Sequence, residues 1–254
     1  MSTLNFNYDI KKITNHTYTI SFSQSCPQLL NSILESHILL AGCRINSNNN
    51  KITFHASNIK NLSEFMNSCE EKYGVKKIQY NDALKIIWCL SQQIYFLEKL
   101  GFTFYKLDMK NIIVIDDTKF IYLDNESLIP IVKTKEDKLM LEFFKPFKRN
   151  GFLSTEIRGI IQLPKLIDYR AIYQSLAQLI YFLLFNKMPD VNSETNLNIN
   201  PYNENYYEYA TVERKYGLHH SIVDELKPIC YTKLYWFLLR NLSFYPKHRS
   251  IFFI

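Results

Sequence analysis

Glycine is scarce in this 254-residue chain: Gly42, Gly74, Gly101, Gly151, Gly159 and Gly217, each standing alone, against an average usage of roughly 7%. Neither GxGxxG nor GxxxxGK[ST] can be assembled from them, so no glycine-rich loop is at hand whose backbone amides would cradle a phosphate. Five cysteines, Cys26, Cys43, Cys69, Cys89 and Cys230, include no CxxC pair and have no histidine at metal-ligand spacing. That pattern excludes a CxxC redox or zinc motif and reads as buried thiols in a reducing compartment. Long apolar runs are also missing. The longest, Leu179–Phe185, falls far short of the ~20 residues that span a bilayer, and the opening MSTLNFNYDIKK has no apolar stretch behind a basic start. A soluble, cytoplasmic protein with no membrane partner is the expectation.

A strong charge of one sign is absent too. Lys and Arg total 30 against 24 Asp and Glu, a net charge of +6, and the basic residues have acidic neighbours almost everywhere. No RNP, zinc-finger or helix-turn-helix signature accompanies the charge, so a basic nucleic-acid-binding module is only a second alternative. What the chain does have is apolar mass: 47% hydrophobic residues, with 18 Tyr and 18 Phe. That is far from the composition of a disordered chain, and the length suits one large domain or two packed lobes.

The first 60 residues read as β-β-α-β-β. Alternation marks Asn5–Ile13 and Thr17–Ser23 around a turn at 14–16. Pro27 opens a helix over Gln28–Ser36 with Ser25 as its N-cap, and Ile38–Ile45 and Ile52–Ala56 flank an asparagine-rich loop. From Leu62 the helical period takes over. Asn81 caps a long helix in which Ala83, Ile87, Leu90, Ile94 and Leu97 form one buried face, and Gly101 stops it. Two short strands, Ile112–Ile115 and Phe120–Leu123, follow. The segment 125–153 reads as irregular, Tyr169–Phe185 and Tyr231–Leu242 as helices, and 188–207 as a loop. The expected architecture is α+β with two parts: a reduced, strand-rich part over 1–60 and a mainly helical part over 61–254.

From Gly101 the chain runs Gly-Phe-Thr-Phe-Tyr-Lys-Leu-Asp-Met-Lys-Asn-Ile-Ile-Val-Ile, between the long helix and the strand pair. This resembles, without a gap, the protein-kinase catalytic loop G-x-x-H-R-D-L-K-P-E-N-I-L-I. Leu123-Asp124-Asn125-Glu126 stands where a kinase has DFG, and Phe152-Leu153-Ser154-Thr155-Glu156 where it has APE. Ser175-Leu176-Ala177, within Asp168–Leu184, is similar to part of its central buried helix. Phe244-Tyr245-Pro246-Lys247-His248-Arg249 is similar to D-P-x-x-R. The resemblance, over about residues 50 to 254, implies a two-lobed protein kinase-like fold with a truncated first lobe. The richness in Asn, Ile, Lys and Tyr is similar to that of divergent kinase-like chains of large DNA viruses, which would place the protein in a host cytoplasm or a virion.

The resemblance also implies which chemistry has been lost. Asn111 and Asp124 match the two Mg²⁺ ligands, but Lys106 occupies the place of the catalytic aspartate, Phe104 that of the histidine and Tyr105 that of the arginine. An ammonium has no lone pair with which to accept the substrate hydroxyl's proton. Asp108 stands where kinases carry a lysine; it would be the base or a further Mg²⁺ ligand in an active enzyme, or the partner of Lys106 in a surface ion pair. A gapped alignment reads Asp108-Met109-Lys110 as D-L-K instead, with Asn111 three residues after the aspartate. The strand before the first helix, Thr17–Ser23, has no lysine, and Glu35 lies near that helix's end. Ile172 replaces the aspartate that holds the catalytic-loop backbone, and Glu156 and Arg249 match a structural ion pair. The late His219-His220 pair is a weak ligand candidate. The expected function is therefore an inactive, pseudokinase-type domain that binds a protein partner, with no cofactor required. The alternative is an atypical ATP- and Mg²⁺-dependent phosphotransferase built on Asp108, Asn111 and Asp124. Phe143–Arg149, which mixes three phenylalanines with basic residues, is the expected docking cluster if its rings are exposed.

Overall fold

The computed structural model describes residues 8–36, 41–191 and 215–251. The chain begins with a four-stranded antiparallel sheet formed by β1 (Tyr8–Thr14), β2 (Thr17–Phe22), β3 (Ala41–Ile45) and β4 (Lys51–His55), in the order β1-β2-β4-β3. Register puts Ile10, Ile20, Ile52 and Ile45 in one row across all four strands. Ile20 and Ile52 have no exposed surface, and because side chains alternate with period two, that row fixes the buried face. Helix α1 (Pro27–Glu35) buries Leu29, Leu30 and Ile33 against the same core. Its N-cap is Cys26, which makes no side-chain cap bond, so Ser25 does not cap it. The parts of the expected strands at 5–7 and 38–40 lie outside the described residues.

A short strand, β5 (Ile59–Asn61), leads into α2 (Leu62–Tyr73) through a reciprocal cap. The Asn61 side chain accepts from Glu64 N at 2.8 Å, and the Glu64 carboxylate accepts from Asn61 N at 2.9 Å. Helix α3 (Tyr80–Lys99) buries Ala83, Ile86, Ile87, Leu90, Ile94 and Leu97. It starts one residue before Asn81, with Gln79 at the N-cap and no side-chain cap bond. Two polar side chains, Ser91 and Gln93, are buried with them. Gln93 donates to Tyr122 O at 2.8 Å and accepts from Tyr122 N at 2.9 Å, which fastens the helix to β8 (Lys119–Tyr122). Strand β7 (Ile112–Ile115) pairs with both β5 and β8. The three-residue β7–β8 loop, 116–118, has Asp116 and Asp117 in the left-handed region at φ 51° and 53°, and Thr118 N donates to Ile115 O at 3.2 Å.

The segment 125–153, expected to be irregular, carries two strands in its first part, while 144–151 has no helix or strand. Strands β6 (Phe102–Phe104), β9 (Leu128–Lys133), β10 (Leu139–Phe143) and β11 (Lys165–Asp168) form a second antiparallel sheet in the order β11-β10-β9-β6. Leu141, Phe143 and Ile167 on its inner face share a small core with Tyr105, Leu153 and Ile157. The remaining helices are α4 (Thr155–Arg158), α5 (Ala171–Phe185), α6 (His220–Leu226) and α7 (Lys233–Leu242). Helix α5 is buried almost all round, from Ala171 to Leu183, as befits a helix apolar on every face. Of the expected 188–207 loop, 188–191 has no regular structure and 192–207 lies outside the described residues. No helix among the described residues is long and apolar enough to cross a membrane.

Candidate functional site

The loop 105–111 runs from β6 to β7, at the C-terminal end of α3, and places Lys106, Asp108 and Asn111 beside Asp124, which follows β8. Lys106 is only 3% exposed. Its ammonium lies 3.8 Å from Asp124 Oδ2 and donates to Asn150 Oδ1 at 2.9 Å. The other end of that amide, Asn150 Nδ2, donates to Asp108 Oδ2 at 2.8 Å. Tyr122 closes the circuit: its hydroxyl donates to Asp124 Oδ2 at 3.1 Å and accepts from Asp108 N at 3.1 Å. Lys106, Asn150, Asp108, Tyr122 and Asp124 thus form one closed ring of polar contacts. Burial and the neighbouring Asp124 push the Tyr122 phenol well above its ordinary range.

The expected surface pair between Lys106 and Asp108 is replaced by this arrangement. The lysine turns inward because the buried Asp124 carboxylate is a stronger partner there than a solvated one, and Asn150 bridges the remaining gap to Asp108. Both carboxylate oxygens of Asp108 are engaged, Oδ1 with Lys110 N at 3.1 Å and Oδ2 with Asn150. Asp124 is equally committed. It is 4% exposed, and its Oδ1 caps the following turn by accepting from Glu126 N and Ser127 N at 3.1 and 3.3 Å. Asn111 contributes its backbone, accepting from Leu123 N at 2.8 Å.

A divalent cation fits these residues poorly. Mg²⁺ takes carboxylate and water oxygens in a near-octahedral shell, whereas the Asp124 oxygens already hold an ammonium, a phenol and two backbone amides. Among the described residues no group of three or more His, Cys, Asp or Glu side chains is placed to hold a metal ion. The His219-His220 rings lie 4.0 Å apart, and His219 caps α6 by accepting from Ser221 N.

The ring is held from outside by the strand-like pairing of Leu107 with Phe152, with backbone bonds of 3.1 and 2.6 Å. Gly151 makes this approach possible. It has φ 83°, and a Cβ there would stand 2.4 Å from Leu107 O, a contact no side chain tolerates. Beyond it, Glu156 Oε1 lies 2.7 Å from Arg249 Nη2, whose side chain is fully buried and also donates to Ser243 O and Phe244 O. Ile172 is wholly buried and offers the loop no hydrogen bond. Gln174, two residues further along α5, instead accepts from Thr155 N at 2.8 Å and donates to Leu242 O and Ser243 O.

On the opposite side a cleft of about 430 Å³ opens between the first sheet and the β5–β7 region, with Tyr8, Ile10, Tyr18, Ile59, Lys110 and Ile113 in its walls. Burial, with Asp124 and Asp108 nearby, pushes the Tyr8 phenol up to about 12. On β2, Thr19 faces Thr53 at 3.1 Å with no lysine in the strand, and Glu35 at the end of α1 is exposed. The Phe143–Arg149 cluster is only partly a surface. Phe143 is buried and packs with Phe147 and Tyr105 at ring distances of 4.9 to 6.0 Å, leaving Phe144, 66% exposed, as its one open ring.

Sequence reasoning found Lys106, Asp108, Asn111 and Asp124 but missed Asn150, Tyr122 and Tyr8. Tyr122 carried a signal, since a tyrosine in an otherwise apolar buried strand needs a partner for its hydroxyl. Asn150 carried only its position before Gly151.

Neither a protein-family model nor a curated protein sequence matches the chain. Among solved structures it is similar to a rhoptry kinase from Toxoplasma gondii, at a TM-score of 0.48 and 12% identity, over 96% of this chain and 71% of that one. The order of elements is itself specific. A strand-rich lobe with one helix precedes α3, the loop, the β7–β8 hairpin, Asp124, an extended segment ending at Glu156, and the buried α5. The fold is α+β, with strands concentrated at its N-terminal end and helices at its C-terminal end.

Proposed function

We propose that this chain is a catalytically inactive kinase-like domain that works by binding another protein. The observation that carries the reading is the buried Lys106 ammonium, 3.8 Å from Asp124 and anchored on Asn150, at the position the kinase resemblance assigns to the catalytic aspartate. In that family phosphoryl transfer needs a carboxylate to position the substrate hydroxyl and a metal to neutralise developing charge. Here the ammonium sits where the carboxylate would be, and it neutralises the carboxylate that would hold the metal. Asp108 is a poor substitute base, with both oxygens engaged. Were Mg²⁺ to bind, Asp124 would have to release its present partners to hold it.

The test is a thermal-shift titration with ATP, alone and with Mg²⁺ or Mn²⁺. A ligand confined to the folded state adds about 2.7 kcal/mol at ~100 Kd, so binding would be visible. No shift up to millimolar nucleotide, and no phosphoryl transfer to generic protein substrates, is expected. A metal-dependent shift abolished in Asp124→Ala, with transfer lost in Asp108→Asn, would replace this reading by the phosphotransferase built on Asp108, Asn111 and Asp124.

A further inference from the structure

Far from the Lys106 ring, the chain carries an aromatic platform made from two segments, 215–217 and 243–248. The segments are tied by Phe244 N and the Ser243 hydroxyl, which both donate to Tyr216 O at 3.0 and 2.7 Å. Phe244 and Tyr245 stay 52% and 42% exposed, although full burial of such a ring is worth roughly 1.5–3 kcal/mol. They meet at 89° with centroids 5.6 Å apart, forming a right-angled notch. The notch rests on Gly217 at φ 61°, where a Cβ would stand 3.0 Å from Phe244 Cβ and 3.1 Å from Tyr245 Cε2. Phe244 Cβ and the Tyr245 ring therefore pack directly against the Gly217 backbone.

Two cations flank the notch. Lys215 Nζ lies 5.4 Å from the Tyr216 ring centre and Lys247 Nζ 5.9 Å from that of Tyr245. Many of this protein's lysines stand against a carboxylate, among them Lys60, Lys85, Lys133, Lys138, Lys148 and Lys187. Among the described residues neither Lys215 nor Lys247 does. The local field is positive enough to register on a neighbour: burial first, then Lys247 and Lys215, lower the His248 imidazole's pKa. His248 packs edge-on to Tyr216 and Tyr245.

Exposed rings beside cations that have no carboxylate partner among the described residues call for an anionic partner with an apolar anchor. Two classes have that chemistry, single-stranded nucleic acid and an acidic peptide. Nucleic acid stacks its bases on free ring faces, but here the ammoniums stand over the faces of Tyr216 and Tyr245, and the two open rings are perpendicular, not stepped in parallel. A notch accepts one side chain, and lysines on its rim suit carboxylates beside it. We propose that the notch of Phe244 and Tyr245, with Lys215 and Lys247, is the docking site for an acidic peptide segment that inserts one apolar or aromatic side chain. This rests on the reading of the chain as a binding domain and adds its surface and its partner class.

Fluorescence anisotropy of a labelled random copolymer of glutamate and tyrosine tests it, with polyglutamate and oligothymidylate as comparators. The copolymer is expected to bind the full chain, more tightly than polyglutamate, and to weaken as salt rises. Affinity should fall about tenfold or more, equivalent to ~1.4 kcal/mol, both in Phe244→Ser and in the double charge reversal Lys215→Glu with Lys247→Glu. The lysines are exposed, so the reversal variant keeps its fold, which a melting curve verifies. Absence of copolymer binding, or affinity unchanged in both variants, overturns the proposal. Tighter binding of oligothymidylate than of the copolymer overturns the peptide assignment. None of these outcomes bears on the nucleotide and metal titrations that decide whether the domain is inactive.

Discussion

Asn150 holds Lys106 with one end of its amide and Asp108 with the other, at 2.9 and 2.8 Å, across more than forty residues of chain. The amide's polarity suits the task, since its oxygen faces a donor that cannot accept and its nitrogen faces a carboxylate that cannot donate. A lysine and an aspartate two residues apart in the 105–111 loop are thereby fixed relative to each other without touching.

Replacing Asn150 with Ala removes two hydrogen bonds to charged groups. A loss of about 1.5–3 kcal/mol is expected, together with faster amide exchange at Leu107 and Phe152, whose pairing the side chain braces. Denaturant melts and hydrogen exchange check both. A variant with unchanged exchange at those two amides would show that the backbone pairing stands alone.

Lys106→Met keeps the side chain's length and removes its charge. Asp124 is then a buried carboxylate without its cation, a change that typically costs ~3–5 kcal/mol. Manganese should recover part of that stability in the variant and none in the parent, because only the variant leaves the carboxylate open. Thermal melts with and without MnCl₂ make the comparison.

Glu156→Gln and Arg249→Met differ in what they strand. The glutamine leaves a fully buried guanidinium, already depressed by desolvation, without its counter-charge. The methionine leaves the partly solvated Glu156, 22% exposed. The glutamine variant is expected to be the less stable of the two, by about 1–2 kcal/mol within the ~3–5 kcal/mol typical of broken buried pairs. Urea melts of the two single variants and the double variant give the coupling directly.

Glu98, in the last turn of α3, accepts from the Tyr173 hydroxyl at 2.9 Å, while its other oxygen is buried without a partner. Burial raises its pKa to about 7, and the Tyr173 hydrogen bond works against that rise. The folded state therefore holds the proton more tightly than the unfolded chain does. The associated stability is full below the unfolded value near 4.5 and is lost as pH climbs through about 7. Stability of the parent relative to Glu98→Gln should fall by about 2–3 kcal/mol between pH 4.5 and pH 7.5, at ~1.4 kcal/mol per unit at steepest. A pH-independent difference between the two proteins would rule this out.

How far the sequence could be read depended on whether the deciding forces were local. Helix α3 announced itself through apolar spacing, and the β7–β8 hairpin through paired aspartates between two apolar runs. The second sheet did not. Its strands are short, Pro130 stands within β9, and β10 is completed on its other side by β11, more than twenty residues on. The site divides the same way. Asp124 and Lys106 were placed by their order along the chain, but a lysine reads as solvated until a buried carboxylate is found for it. Asn150 has no local reason to be special at all. The phenylalanines of 143–147 could not be sorted into buried and exposed without Tyr105, which follows β6 at the far edge of the same sheet.

The apolar interior has a mechanical consequence. The buried cluster is continuous from Ile20 and Ile52 of the first sheet, through α1 and α3, to Ile251 at the far end. Swinging the strand-rich end away from the helical end would tear that interior and wet it. Both ends are therefore expected to unfold together, with a single heat-capacity peak on calorimetric heating.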